Sequence, residues 1–244
     1  MSKIVILIPS RLSAKRLPGK PLLKINGISI ISHVVKKAKE ADIGDVYVAT
    51  EDKEIIDDVN LNGGKAILTS KKHKTGSDRI FECFEKLDLI DINYIINLQG
   101  DEPNIDLNDL KHLYKLININ KPEIGTIAAE IENKSILNDE NVVKVITENK
   151  ITNENFPIAL DFKRRANDQI INIYHHIGIY SFTHNALSKY VNLSRSENEK
   201  IRSLEQMRLL DNDIDVNVGL ASTLPLSVDN PNELEKIRKI MEYK

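Results

Sequence analysis

The chain alternates short apolar runs with longer amphipathic stretches. Lys3–Ile8 is an unbroken run of Ile, Val and Leu, and the stretch from Tyr94 ends abruptly in Gln99-Gly100-Asp101-Glu102-Pro103. Runs of this length bounded by Gly and Pro predict strands buried on both faces, as in a parallel sheet. Between them the period lengthens. Over Ser29–Ala41, Ile30, Ile31, Val34, Val35 and Ala38 form one apolar stripe of a helix, with Ser29 as its N-cap. Asp45–Ala49 predicts a second strand, Asp52–Leu61 a second helix closed by Asn62-Gly63-Gly64, and Lys65–Leu68 a third strand. A helix over Asp78–Leu87, a strand over Asn93–Leu98, a helix over Leu107–Ile117 and a strand over Ile124–Glu130 follow. Strands alternating with helices predict an α/β fold with a doubly wound, mostly parallel sheet and right-handed crossovers.

Beyond residue 130 the pattern changes. Val142–Ile146 is β-like, 153–172 is polar and irregular, and Ile173–Phe182 reads as a strand. Asn185–Tyr190 and Lys200–Leu210 read as helices and Val216–Val218 as a strand. The tail Pro231–Met241 is a helix capped by Asp229 or Asn230, with Pro231 in its first turn. The expected division is an α/β nucleotide half over 1–130, a smaller β-rich inserted lobe over 131–220, and a closing segment over 221–244 whose helix packs back on the first half.

Composition narrows the function. The 244 residues carry a net charge of −2, so no basic field argues for nucleic acid or an anionic membrane. The single cysteine, Cys83, excludes an internal disulfide and reads as a small hydrophobe on a helix. The first apolar run is too short for a secretion signal or a membrane span, which points to a cytoplasmic protein.

Two stretches carry candidate chemistry. Gly100 lets the chain turn and Pro103 stops the ladder, so Asp101 and Glu102 fall just past the carboxyl end of a central strand. Open α/β sheets place ligands there. The first strand runs into Pro9-Ser10-Arg11-Leu12-Ser13-Ala14-Lys15-Arg16-Leu17-Pro18-Gly19-Lys20-Pro21, where Arg11, Lys15, Arg16 and Lys20 put four cations within ten residues. A basic loop suits a polyphosphate. It is not a Walker A motif, because Pro21 follows Lys20, and the dinucleotide fingerprint is absent.

The basic loop Ile8-Pro9-Ser10-Arg11…Arg16-Leu17-Pro18-Gly19-Lys20-Pro21-Leu22 resembles the nucleotide loop of sugar cytidylyltransferases. Leu98-Gln99-Gly100-Asp101-Glu102-Pro103, His176-Ile177-Gly178-Ile179-Tyr180, Leu204-Glu205-Gln206 and Val228-Asp229-Asn230-Pro231 resemble the branch that activates 3-deoxy-manno-octulosonate (Kdo). The resemblance implies a Rossmann-like, three-layer nucleotidyltransferase fold. It also implies the reaction of CTP with Kdo to give CMP-Kdo and pyrophosphate for lipopolysaccharide synthesis, with Mg2+ and in a homodimer. On that resemblance Lys20, Asp101 and Asp229 are catalytic. Arg11, Arg16 and Lys20 hold the triphosphate, with Lys15 a weaker candidate. Asp101 and Asp229 hold magnesium, and Thr75, Ser77 and Arg79 read the cytosine, Arg79 facing its carbonyl. Gln99, His176, Tyr180, Glu205 and Gln206 bind the acidic eight-carbon sugar. His33, His112, His175 and His184 have no such support and read as structural or exposed.

One position departs from the family pattern. Where the family commonly has Ser-Arg-x-Pro-Ile-Pro, this chain has Glu154-Asn155-Phe156-Pro157-Ile158-Ala159. Either Arg164 or Arg165 substitutes for the missing arginine, or the acceptor is 8-amino-Kdo or another ulosonate. A cytidylyltransferase for a nine-carbon acidic sugar is disfavoured by the His-x-Gly-x-Tyr and Glu-Gln pairs. A regulator that only holds CTP is disfavoured by the presence of both Asp101 and Asp229.

Overall fold

The computed structural model describes residues 2–13 and 17–242. The chain divides into two compact units. One contains Ser2–Asn108 together with Pro225 onward, and the other contains Asp109–Leu224.

The first unit is a four-stranded parallel sheet with helical crossovers. β1 (Ile4–Ser10) lies between β4 (Asp45–Thr50) and β6 (Tyr94–Asn97), and β5 (Ala66–Leu68) pairs with β4. Ile4 to Ile8 of β1 are all buried, which is why the run shows no alternation. The short strands β2 (Lys24–Ile25) and β3 (Ile28–Ser29) form a hairpin ahead of α1 (Ile30–Glu40). Ser29 caps α1, its side chain accepting from the Ser32 N–H. α2 (Lys53–Leu61) joins β4 to β5, and α3 (Gly76–Leu87) joins β5 to β6. Cys83 is a fully buried hydrophobe on α3, and burial pushes its thiol up to about 12.

The second unit takes the body of α4 (Leu107–Asn120), β7 (Ile124–Ala129), β8 (Lys144–Thr147), β9 (Ala159–Lys163), β10 (Ile173–Phe182), the helices α5 (His184–Asn192), α6 (Glu197–Arg202) and α7 (Met207–Leu210), and β11 (Asn217–Leu220). β7 pairs parallel with β11 and antiparallel with β10, and β10 continues through β8 to β9. The sequence places the boundary at residue 130. Here α4 and β7 group with the later residues, because both neighbours given for β7, β10 and β11, come after residue 130. Asp109 on α4 is bonded from the backbone N–H and hydroxyl groups of Ser222 and Thr223, which fixes the unit's last turn to its first helix.

The chain then returns to the first unit. α8 (Pro231–Glu242) packs Leu234 and Ile237 with Val228 against Ile25 and Ile30. Arg238 and Asn26 add hydrogen bonds between the β2–β3 hairpin and α8. No helix among the described residues is long and apolar enough to cross a membrane.

Candidate active site

The carboxyl ends of β1 and β6 and the N-terminus of α3 enclose a cavity of about 670 Å³ within the first unit. Pro9, Ser10, Arg11 and Lys20 line one side of the chain path, His73 to Gly76 and Arg79 another, and Gln99, Gly100, Asp101 and Asp229 complete it. This is the crevice beyond the strand ends where an open α/β sheet binds its ligand. Gly100 is needed for the close approach: a Cβ there would sit 3.0 Å from the Pro9 carbonyl oxygen and 3.2 Å from the Ile31 Cδ1.

Lys20 organises the acidic side. It opens a single 3-10 turn, Lys20–Leu22, after Gly19, whose φ of 69° is left-handed. Its Nζ donates to Asp101 Oδ2 at 2.6 Å and to Asp229 Oδ1 at 3.0 Å. Burial works against the ammonium charge, but the two carboxylates more than offset it and hold Lys20 above its ordinary pKa. Asp229 is brought there by the Val228 N–H bonding the Asp101 carbonyl at 3.0 Å, and by Glu233, whose carboxylate accepts from the Asp229 and Asn230 N–H groups at the start of α8. Glu102 lies behind this cluster, buried, and accepts from the Ser227 hydroxyl. Burial, reinforced by the neighbouring Asp101 charge, pushes its carboxyl up to about 8.

Thr75, which also lines the cavity, caps α3 through a reciprocal box with Asp78, so its hydroxyl accepts from the Asp78 N–H. Arg79 lines the cavity yet is only 3% exposed. Its guanidinium is tied to Glu51 and to Thr69 Oγ1, whereas the sequence reading has it facing a base carbonyl. The half-buried carboxylate of Glu51 is the reason, since the buried guanidinium needs a counter-charge. Ser77 is buried in the first turn of α3 and is not among the cavity-lining residues. Arg11 lines the cavity, Lys15 and Arg16 lie outside the described residues, and Leu12 after β1 is anchored by its N–H to Asp52 Oδ2 at 2.7 Å.

The candidate sugar residues other than Gln99 belong to the second unit. His176 and Tyr180 share a face of β10, with ring centroids 5.4 Å apart. An irregularity in the pairing to β7 between Ile177 and Tyr180 adds two residues opposite the Ile127–Thr126 step, which keeps the parity and so the shared face. Tyr180, Phe182 and Tyr190 continue as a stack, and Glu205 acts on both tyrosines, whose hydroxyl pKa values burial drives up. Gln206, half-buried, precedes α7. His176 is 8% exposed and its Nε2 meets Thr126 Oγ1 at 3.0 Å. Burial, with His175 adding a little, pushes its imidazole down to about 3.

That shift has a thermodynamic consequence. Between about pH 3 and the unfolded value the unfolded chain binds a proton that folded His176 refuses, so stability is present above the unfolded value and is lost as pH falls. We expect His176→Gln to remove a slope of up to about 1.4 kcal/mol per pH unit from the stability profile below about pH 6.5. Urea titrations of parent and variant at several pH values check it, and parallel profiles would exclude a buried neutral imidazole.

Comparison with known proteins bears on this geometry. The cytidylyltransferase family model matches residues 5–216. A 3-deoxy-manno-octulosonate cytidylyltransferase from Rhizobium etli is 37% identical over 243 residues, covering 98% of this chain and 95% of the relative. One from Afipia carboxidovorans is 40% identical, covering 97% and 96%. This chain belongs to the 3-deoxy-manno-octulosonate cytidylyltransferase family. The solved structure of a CMP:2-keto-3-deoxy-manno-octonic acid synthetase complexed with CTP superposes with a TM-score of 0.89 at 34% identity, each chain covered to 99%.

Membership in the octulosonate cytidylyltransferases sharpens the departure at Asn155. Its Oδ1 accepts from the Thr152 N–H at 2.7 Å and its Nδ2 donates to the Lys150 carbonyl, so Asn155 closes a turn. Arg164 donates to the carbonyls of Glu140, Arg202 and Ser203. It anchors the residues just before Leu204-Glu205-Gln206. Arg165 forms an exposed pair with Glu140. Charge-assisted bonds of this kind are worth about 1.5–3 kcal/mol. We therefore expect Arg164→Ala to lower the urea midpoint by a loss of that size while CTP affinity stays at the parental value; an unchanged midpoint contradicts the anchoring role.

The sequence reading did not single out Glu51 or the His73–Glu82 pair. Glu51 carries one available signal, its place just past the carboxyl end of β4.

Proposed function

We propose that this protein activates 3-deoxy-manno-octulosonate with CTP, releasing pyrophosphate and forming CMP-Kdo for lipopolysaccharide synthesis. The observation that carries the reading is Lys20 held between Asp101 and Asp229 in a cavity at the strand ends. The names of the full-length relatives favour the plain octulosonate over its amino-substituted counterpart. In the reaction the anomeric hydroxyl oxygen of the sugar bonds to the α-phosphorus and its proton is released. The bond from that phosphorus to the bridging oxygen breaks, and pyrophosphate leaves.

Charge develops on the leaving oxygens, and pre-placed cations stabilise it. Arg11, Lys20 and, on the family resemblance, Arg16 supply them. Two carboxylate oxygens close enough to share one lysine Nζ are also close enough to share one divalent cation. Hard oxygen donors with positions left for substrate and water suit magnesium, so Asp101 and Asp229 would hold it. Bound there, magnesium supplies Lewis-acid neutralisation of phosphate charge and lowers the pKa of a coordinated hydroxyl. On the family resemblance His176, Tyr180, Glu205 and Gln206 of the second unit would provide hydrogen bonds to a polyhydroxylated acid, and leaving any of them unpaired would reject an analogue. We read the working assembly as a cytoplasmic homodimer on the family resemblance.

The test is pyrophosphate release from CTP and magnesium with a panel of ulosonates. Release with Kdo above all others is expected. Equal release without any sugar, or with a nine-carbon acid alone, would overturn the assignment.

A further inference from the structure

His73 borders the nucleotide cavity, and Glu82 stands behind it as its hydrogen-bond partner. His73 lines the cavity beside Lys74, Thr75, Gly76 and Arg79. Its Nε2 is bonded to Glu82 Oε2. Glu82 is held from three sides, since the Ser70 N–H donates to the same oxygen at 2.8 Å and Lys86 Nζ lies 2.7 Å from the other. Burial pushes its carboxyl up, but the bonds from Lys86, Ser70 and His73 outweigh this and bring it down to about 2. Glu82 is therefore an ionised, acceptor-only group. The His73 nitrogen that faces it must carry the proton, which leaves Nδ1 as the acceptor of the neutral ring.

An acceptor at this place has a use. Asp101 and Asp229, the carboxylates that line the cavity, are engaged by Lys20. Around His73 the wall carries the cations Lys74 and Arg79 and the start of α3. Cytosine and uracil differ where one presents an amino donor and the other a carbonyl acceptor. A fixed imidazole acceptor accepts the first and opposes the second.

Resting on the reading that CTP occupies this cavity, we propose that His73 is a specificity-determining residue that recognises the amino group of cytosine through Nδ1, and that Glu82 is the positioning residue that fixes its tautomer. The pair makes the site prefer CTP over UTP.

The experiment is calorimetric binding of CTP and of UTP to the full-length protein at about pH 8.5 without sugar, with the CTP-to-UTP affinity ratio as the readout. His73→Ala should lower that ratio about tenfold, the size of one lost hydrogen bond and one relieved acceptor clash. Glu82→Gln keeps the volume and removes the charge that fixes the tautomer, so the ratio should fall part of the way. His73→Gln can present an amide carbonyl and should keep more of the ratio than His73→Ala; with Glu82→Gln it also carries the test if the alanine variant fails to fold. A purely structural role for His73 would weaken both nucleotides alike. An unchanged ratio, or equal loss for CTP and UTP, overturns the inference while leaving the functional reading intact. A parent protein that binds no CTP overturns the functional reading itself.

Discussion

Asp101→Asn and Asp229→Asn each reduce turnover by a thousandfold or more at saturating CTP and magnesium, about 4 kcal/mol of barrier. Asparagine keeps the shape and one acceptor oxygen but not the charge. In the parent both carboxylates converge on one ammonium, at 2.6 and 3.0 Å, so each oxygen is already aimed at the place a cation must occupy. Removing one charge halves the protein's contribution to a site that depends on hard anionic donors. The fold should survive, because both aspartates remain partly exposed and the strand ends around them are set by β1 and β6. Pyrophosphate release, with thermal unfolding as the control for folding, decides the point. Near-parental rates in either variant would show that the carboxylates serve only as partners of Lys20.

The parts of this arrangement that sequence reasoning could reach share a cause. β1 and β6 are largely apolar runs because both faces are buried, and β10 is long enough that its limits, Ile173–Phe182, coincide with the reading. Elements that depend on distant partners were not legible. β9 is short and embedded in a polar stretch, with Leu160 exposed and Asp161 bonded to Arg202. The Lys200–Leu210 stretch reads as one helix but breaks at Ser203, whose φ of 52° is left-handed, giving α6 and α7. The β2–β3 hairpin carried a usable signal in Asn26-Gly27, both with positive φ, the usual two-residue hairpin turn. In the site, Asp229 was reached only through the family resemblance, whereas Asp101 stood out through Gly100, Pro103 and its strand-end placement and Lys20 through the basic loop after β1. The pairs Arg79–Glu51 and His73–Glu82 did not, because their meaning lies in tertiary contact: Arg79 spends its guanidinium on Glu51, and His73 gains an acceptor from Glu82.

Lys20→Ala lowers kcat/KM for CTP by about a hundredfold or more while changing the apparent affinity for the sugar by less than about threefold. Each charged contact to a phosphate is worth about 1.5–3 kcal/mol, and a lysine that reaches more than one oxygen loses more than one such contact. The variant also leaves Asp101 and Asp229 facing each other without their shared ammonium, and two uncompensated carboxylates attract a divalent cation more strongly. Loss of triphosphate binding and gain of metal binding therefore separate in one experiment. Magnesium titrated into the variant without CTP should bind more tightly than into the parent, and CTP titrated at saturating magnesium should bind more weakly. Lys20→Arg keeps the charge but replaces a compact point charge with a planar fork, so it should recover part of the CTP efficiency and not the parental value. If Lys20→Ala instead raised only the sugar's KM, the lysine would belong to acceptor binding and the phosphate assignment would fail. If magnesium affinity without CTP did not rise, Asp101 and Asp229 would not form the cation site, whatever the activity showed.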